Sequence, residues 1–277
     1  MESIYPNKSV AFESVLAQNQ DRLFSVVRST LDRLEDSPGS RVGPAMGNLG
    51  QVPFNVRLSD CCAYTRRNGL NHLGSFSRAM DIPDAQEFVS ALLSSKRIIF
   101  VDLGSGASLT WILTSLVAAQ FGQTKRMTVV NVDHAKNMNR VAREIATDLS
   151  PMFDKTGISF DRRQVIEPAA INGYTSSELE DKPPVFLVLN HLLHQNHSTN
   201  LPVPEFVTTA LRACQDIVRS SGGGSVLGVS LEPWGLRTGF GQQGLNREIQ
   251  SMGGSTSVPV RVAGDNAGKS VVAFKYM

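Results

Sequence analysis

The chain has few cysteines and no long apolar run. The three cysteines among 277 residues, Cys61, Cys62 and Cys214, include no Cys-x-x-Cys pair. Their number and spacing argue against a disulfide framework or a zinc site. We therefore expect reduced thiols, with Cys214 on the buried face of a helix. No apolar run approaches the ~18 residues of a membrane span, and the first six residues lack a basic and apolar leader, so we expect a cytoplasmic protein without a membrane partner.

The sequence also lacks an excess of charge of either sign. It contains 27 Lys and Arg against 25 Asp and Glu, which gives a formal net charge of +2. Surfaces that bind nucleic acid are more strongly basic, so a nucleic-acid partner is not expected. The adjacent Arg66 and Arg67 are expected to point into solvent. With 41% hydrophobic and 19% charged residues, the composition is typical of a globular enzyme with a substantial core.

The chain does contain a glycine loop between a predicted strand and a predicted helix. Residues 98–103 are mostly apolar, Gly104 and Gly106 follow, and residues 109–119 have helical spacing. This order is typical of nucleotide sites, where glycines allow a tight turn and the close approach of a ligand. It also describes an ordinary strand-to-helix turn without a ligand.

A second strand and helix follow directly. Residues 127–132 are mostly apolar and run into Asp133, and residues 135–149 have helical spacing. In nucleotide-binding α/β folds an acid at the end of the second strand binds the ribose hydroxyls. Asp133 could instead cap the helix that follows it. Leu109 occupies the place of the third glycine of a dinucleotide fingerprint, so a dinucleotide is not the expected cofactor.

Three stretches follow one another in the order of a known family. Residues 101–107, Val-Asp-Leu-Gly-Ser-Gly-Ala, resemble the first motif of class I S-adenosylmethionine-dependent methyltransferases. Residues 184–194, an apolar strand that runs into Asn-His-Leu-Leu-His, are similar to the fourth-strand motif of the small-molecule members. Residues 225–233 are similar to their fifth strand. The resemblance covers residues 97–277.

The resemblance implies both a fold and a cofactor. The fold is α/β, with a Rossmann-like sheet of seven mostly parallel strands whose last strand is antiparallel, and an N-terminal helical segment. Residues 258–262 and 270–276 are spaced as the terminal hairpin of that sheet. The implied cofactor is S-adenosyl-L-methionine. The residues implied to bind it are Asp102, Gly104, Ser105, Gly106, Asp133 and Asn190.

The ends of the fourth and fifth predicted strands hold the candidate acceptor site. His194 follows the fourth strand, and an ordinary pKa of roughly 6.5 suits a histidine to remove a proton at neutral pH. We interpret it as the candidate catalytic base, with a packed structural histidine as the alternative. His191, Glu232 and Trp234 are candidate substrate-binding residues. A metal site formed by the first two histidines with His197 is not expected, because no acidic ligand lies close by.

The chain lacks the signatures of two base methylations. The tetrapeptides Asn-Pro-Pro-Tyr and Asp-Pro-Pro-Tyr, which would grip a flipped base, are absent. No cysteine directly follows the fourth or fifth predicted strand, where it could attack a pyrimidine ring. These absences disfavour those two base methylations, and the resemblance to the small-molecule members implies methyl transfer to an oxygen or nitrogen of a small molecule. The alternatives are a methyltransferase that acts on RNA or protein, and a catalytically silent protein of this fold that serves binding or assembly.

The first third of the chain is predicted to be helical. Apolar residues recur at three- and four-residue intervals over residues 9–35, which predicts one long amphipathic helix. Residues 36–53 are rich in glycine and proline and predict a loop, and residues 59–80 and 83–95 predict two further helices. The resemblance implies that residues 1–95 form a lid over the substrate pocket or a homodimer interface, and that residues 96–277 form the cofactor-binding domain.

Overall fold

A computed structural model describes most of the chain, and the structural statements below concern that part. The described residues are 12–46, 55–104, 106–107, 109–173, 179–190, 192–193, 203–233, 241–262 and 268–277, with the backbone alone described at 190 and 233.

One sheet organises the described residues. Its eight strands are β1 (Arg97–Leu103), β2 (Arg126–Val132), β3 (Ser159–Val165), β4 (Val185–Asn190), β5 (Val226–Pro233), β6 (Ser255–Thr256), β7 (Val260–Val262) and β8 (Lys269–Tyr276). The order is β3-β2-β1-β4-β5-β8-β6, with β7 also paired to β8. The first five strands are parallel and β8 is antiparallel to its neighbours. The predicted α/β sheet with an antiparallel end is confirmed.

The sheet has one strand more than the seven predicted. β6 and β7 both pair with the edge of β8 that faces away from β5, and their registers differ by one residue, since Thr256 pairs with Phe274 and Val260 with Val271. Pro259, which has no N–H to donate, lies between the two short strands. The last edge strand is therefore divided in two at a bulge. The predicted terminal hairpin is present as β7 and β8.

Eight helices flank this sheet in the described residues. They are α1 (Phe12–Glu35), α2 (Leu58–Tyr64), α3 (Leu70–Met80), α4 (Gln86–Ser94), α5 (Thr110–Phe121), α6 (Lys136–Leu149), α7 (Val203–Ser220) and α8 (Gly241–Ser251). A single π-helical turn, Thr65–Gly69, joins α2 to α3, so the helix predicted over residues 59–80 contains a local change of winding. The helix predicted from residue 83 begins as a 3₁₀ turn, Pro83–Ala85.

The N-terminal helices, α5 and α6 cover one face of the sheet. Their buried side chains form one apolar cluster with the sheet, while α7 and α8 cover the opposite face. α5 contacts both α1 and β1, and every side chain from Thr110 to Ala118 is buried. This position explains why the α5 sequence is apolar on all sides. The three cysteines are free thiols, as predicted, and all three are buried, although burial was predicted for Cys214 alone.

Polar contacts join the N-terminal helices to α6. Thr30 Oγ1 donates to Asp148 Oδ2 at 2.6 Å, and Arg33 Nη2 approaches the same oxygen at 2.7 Å. Asn137 Nδ2 donates to the carbonyl oxygen of Val56 at 2.7 Å. Residues 12–95, where described, thus pack directly on the α/β part of the chain.

Arg66 differs in part from the sequence-based expectation. It is exposed, but its guanidinium also pairs with Asp32 at 2.8 Å and Glu35 at 2.9 Å. It therefore ties the π-helical turn to the end of α1. Over the ranges given above, we find no helix with the length and apolar character that a membrane crossing requires.

Candidate functional site

The glycine turn after β1 has the backbone conformation that requires glycine. Gly104 has φ +65° and Gly106 has φ +62°, and both values lie in the left-handed region that other residues rarely adopt. The N–H of Gly104 donates to the carbonyl oxygen of Val132 at 2.7 Å, which fixes the turn to the end of β2. The N–H of Gly106 donates to Asp133 Oδ2 at 3.2 Å. The two predicted cofactor elements are therefore in direct contact.

Asp133 is held by the backbone on both sides. Its second carboxylate oxygen, Oδ1, accepts a hydrogen bond from the N–H of Ala135 at 2.8 Å. Its backbone carbonyl oxygen accepts a hydrogen bond from the side-chain Nδ2 of Asn139, also at 2.8 Å. Burial raises the pKa of this carboxyl, against the opposing effects of nearby His134 and of the two backbone N–H groups. The bond to Ala135 orders the turn before α6, but Ala135 itself is the N-cap of that helix and the cap has no side-chain hydrogen bond, so Asp133 does not cap α6 as the alternative proposed. A carboxylate has about four lone-pair positions, so two accepted bonds leave it able to bind a ligand hydroxyl as well.

Asp102 anchors the helix that follows the loop. Its side chain is fully buried, and its Oδ2 accepts a hydrogen bond from Thr110 Oγ1, in the first turn of α5, at 2.5 Å. Both ends of the glycine loop are thereby tied to β1. The position of Asp102 makes it a support of the loop backbone.

The turn after β4 packs on the same loop. A Cβ atom on Gly104 would lie 2.6 Å from Leu192 Cδ1, so the absence of a side chain allows this contact. The N–H groups of Leu192 and Leu193 both donate to Glu232 Oε1 at 2.9 Å. Glu232 is buried near the end of β5. This acid, predicted to bind substrate, thus holds the β4 turn against the glycine loop, and its contact with a substrate stays a prediction.

The structure brings together some of the predicted site residues. Asp102, Gly104, Gly106 and Asp133 lie at the carboxyl ends of β1 and β2, and Glu232 joins them through Leu192. Asn190 is the last residue of β4, and its side chain is not described. Ser105, His191, His194 and Trp234 lie outside the described residues, as does His197.

Besides Leu192, two residues at the site were not predicted from the sequence. A Cβ atom on Gly106 would lie 3.6 Å from Tyr64 Cε1 and 3.7 Å from Met138 Cε. Met138 belongs to α6, which directly follows Asp133, and its position one turn into that helix is a signal that could have identified it. Tyr64 ends α2, more than thirty residues before the loop, and no local pattern links it to the site.

The described residues contain no group of three or more histidine, cysteine, aspartate or glutamate side chains arranged to hold a metal ion. The side chains that the structure does assemble are suited to hydroxyl and apolar groups.

No protein-family model matches the sequence, and no curated protein matches it. Solved structures that the chain resembles include magnesium protoporphyrin IX methyltransferase from Synechocystis PCC 6803 with bound S-adenosylhomocysteine, at 11% identity over 95% of this chain and 100% of that chain, with a TM-score of 0.46. The 1,6-didemethyltoxoflavin-N1-methyltransferase of Burkholderia thailandensis is 16% identical over 79% of this chain and 85% of that chain, with a TM-score of 0.45. An rRNA methylase from Streptococcus thermophilus is 12% identical over 70% of this chain and 94% of that chain, with a TM-score of 0.39.

Proposed function

We propose that the chain binds S-adenosylmethionine at the carboxyl ends of β1 and β2 and transfers its methyl group to an oxygen or nitrogen of a small molecule. The observation that supports this most directly is the bond between the left-handed glycine turn and the strand-end acid, Gly106 N–H to Asp133. The glycine turn follows β1, next to the point between β1 and β4 where the strand order reverses, and Asp133 follows the neighbouring strand β2. Open α/β sheets bind their ligands at this point.

The chemistry of these residues fits an adenosyl group. Asp133 is 8% exposed, and its remaining lone pairs can accept from a vicinal diol such as that of ribose. Hydrogen bonds to a carboxylate are stronger where water is largely excluded. The apolar side chains of Leu192 and Met138 contact the two glycine positions. A cofactor with a ribose, a flat base and an aliphatic chain matches this combination of groups.

The main task of the protein in this reaction is to align the methyl donor with the acceptor. Such alignment of two reacting groups can lower the activation barrier by about 7–11 kcal/mol. The bound cofactor would supply a methyl carbon that the acceptor lone pair attacks, while the S–C bond breaks and its electrons stay on sulfur. Glu232 and Leu192 fix the β4 turn relative to the glycine loop. His194, two residues beyond Leu192, is proposed to take the proton that the acceptor loses.

The N-terminal segment, residues 1–95, is proposed to cover the substrate pocket. α2 and the π-helical turn adjoin the loop, since a Cβ atom on Gly69 would lie 3.3 Å from Leu109 Cδ1. The apolar stripe of α1, which includes Leu23, Val27 and Leu31, is buried within the chain. A homodimer through these helices would therefore use their outer faces.

Calorimetry with S-adenosylhomocysteine, the demethylated product, tests the proposal. We expect the wild-type chain to bind it and Asp133→Ala to bind it more weakly by ~1.5–3 kcal/mol, because a charge-assisted pair to the ribose is lost. Asp161→Ala is the matched control, because that aspartate lies in β3 and pairs with Arg163. No binding by wild type, or equal binding by Asp133→Ala, would contradict the assignment. Binding without turnover in an acceptor screen would favour the silent alternative.

A further inference from the structure

The N-terminal helices place an aromatic side chain against the cofactor loop. A Cβ atom on Gly106 would lie 3.6 Å from Tyr64 Cε1 and 3.7 Å from Met138 Cε, so both side chains border the same point of the loop. The N–H of the same glycine donates to Asp133. Tyr64, the loop backbone and the strand-end acid therefore form one cluster, although Tyr64 precedes the loop by about forty residues.

The electrostatics of this cluster agree with its geometry. Burial raises the pKa of Tyr64 to about 12, and the negative charge of Asp133 contributes to that rise. Burial also raises the pKa of Cys61, one turn earlier on α2, again with a contribution from Asp133. Two side chains of α2 thus lie within electrostatic reach of the acid that is proposed to hold the ribose.

Three contacts fix α2 in this position. Asn137 Nδ2 holds the carbonyl oxygen of Val56 just before the helix, and Gly69 adjoins Leu109 just after it. The rings of His72 and Tyr64 pack in an edge arrangement, with an interplanar angle of 69° and the ring centroids 6.3 Å apart. Single π-helical turns such as Thr65–Gly69 are frequent at functional sites. The ring of Tyr64 is therefore held in place, and the end of α2 is part of the wall around the loop.

We infer that Tyr64 is a binding residue for the adenosine half of the cofactor, so that the N-terminal helices complete the cofactor site. This inference rests on the proposed function. The ring next to Gly106 and Asp133 presents an apolar face and edge where the ribose and base would lie, and aromatic rings bind such flat groups by packing. The sulfur end of the cofactor, which must face the acceptor, is not assigned to Tyr64.

The test compares two ligands that share the adenosine half, S-adenosylhomocysteine and 5′-methylthioadenosine. Tyr64→Ala should weaken both by the same factor, about three- to tenfold, which corresponds to one aromatic contact. Tyr64→Phe keeps the ring and should bind both ligands as wild type does. Cys62→Ala is the matched control, because that buried side chain is on the same helix but close to Glu35 and Arg66. It should bind both ligands as wild type does.

Each outcome decides between the two proposals. If wild type binds both ligands and Tyr64→Ala binds them equally well, Tyr64 is not a binding residue and the proposed function stands. Weaker binding of S-adenosylhomocysteine alone would place Tyr64 at the other end of the cofactor and overturn the inference. If wild type binds neither ligand, the proposed function fails first. Tyr64→Leu, which keeps the apolar packing but not the ring, replaces the alanine variant if that variant does not fold.

A second readout separates ligand contact from a purely structural role. In protein labelled with fluorotyrosine, the signal missing from Tyr64→Phe identifies the ring. We expect that signal to shift more than the other tyrosine signals when 5′-methylthioadenosine is added. An unmoved signal at saturation would overturn the inference.

Discussion

The side chain of Leu192 fills the space in which a Cβ atom on Gly104 would stand, with the two positions 2.6 Å apart. Leu192 is fully buried, and its N–H is bound by Glu232. The glycine loop after β1 and the turn after β4 are therefore packed so closely that a change in one must move the other. A change in the β4 turn would therefore shift the backbone of the glycine loop, where the cofactor is proposed to bind.

The first prediction concerns Gly104. Gly104→Ala should destabilise the protein in two ways, through the left-handed φ, at about 1–2 kcal/mol, and through overlap with Leu192, at about 1–3 kcal/mol. Gly157→Ala is the matched control, because Gly157 has φ +72° but no atom within 4 Å of its Cβ position. Urea unfolding should show a larger loss for position 104 than for position 157. Equal losses would mean that the overlap with Leu192 has no cost.

The contact itself can be tested with a second substitution. Adding Leu192→Ala to Gly104→Ala removes the overlapping atoms, so the double variant should lose less stability than the sum of the two single variants. Additive losses would contradict a direct contact between the two positions.

The second prediction concerns Glu232, the hydrogen-bond acceptor on β5. Glu232→Ala should leave the buried N–H groups of Leu192 and Leu193 without their acceptor, at about 1–3 kcal/mol for each group. Glu232→Gln keeps an acceptor oxygen and should have a smaller effect. Hydrogen exchange of these two amides should be faster in the alanine variant and nearly unchanged in the glutamine variant. Unchanged exchange in both variants would show that Glu232 does not hold the turn.

The third prediction is a pH dependence of the contact between α1 and α6. Partial burial would raise the pKa of Asp148, but the hydrogen bonds from Thr30 and Arg33 outweigh burial and lower it. The contact therefore stabilises the folded state at neutral pH and is lost as the pH falls through the lowered pKa. Asp148→Asn should cost about 1 kcal/mol at neutral pH, and the difference from wild type should disappear in acid.

Thermal unfolding across this pH range checks the third prediction. Asp154→Asn is the control, because Asp154 is exposed, and its effect should be small at every pH. A difference between wild type and Asp148→Asn that persists at acid pH would show that charge is not its source.

The sequence allowed prediction of the elements that are buried on both faces. β1, β2, β4 and β5 are nearly continuous apolar runs because parallel strands in this sheet are covered by helices on both sides. β3 and α8 were missed. β3 contains Asp161, Arg162 and Arg163 and is only partly buried, so its sequence has no apolar run, and α8 has only three buried residues.

The sequence predicted the site residues only where their chemical type is characteristic and they follow consecutive strands. Gly104, Gly106 and Asp133 belong to consecutive strand–helix units, so their proximity follows from parallel pairing of β1 and β2. The approach of Tyr64 and Leu192 depends instead on how α2 and the β4 turn pack in three dimensions. The sequence pattern identified Glu232 as an acid at a strand end but could not show that its oxygen would be bound by Leu192 and Leu193.

The last prediction concerns His194, whose proposed role separates an active enzyme from a silent one. If His194 is the base, His194→Ala should lower turnover on a verified acceptor by about 10²–10⁴ and leave the affinity for S-adenosylhomocysteine unchanged, because its partner is the acceptor. If His194 is instead a packed structural histidine, His194→Ala should lower the melting temperature and leave the rate per folded molecule unchanged. His194→Asn keeps a polar side chain without a titrating one, so it should lose turnover if proton transfer is the role. Steady-state kinetics and calorimetry on the same samples distinguish these cases. Wild-type turnover by both variants would remove His194 from the mechanism and leave the alignment of the methyl donor with the acceptor as the source of catalysis.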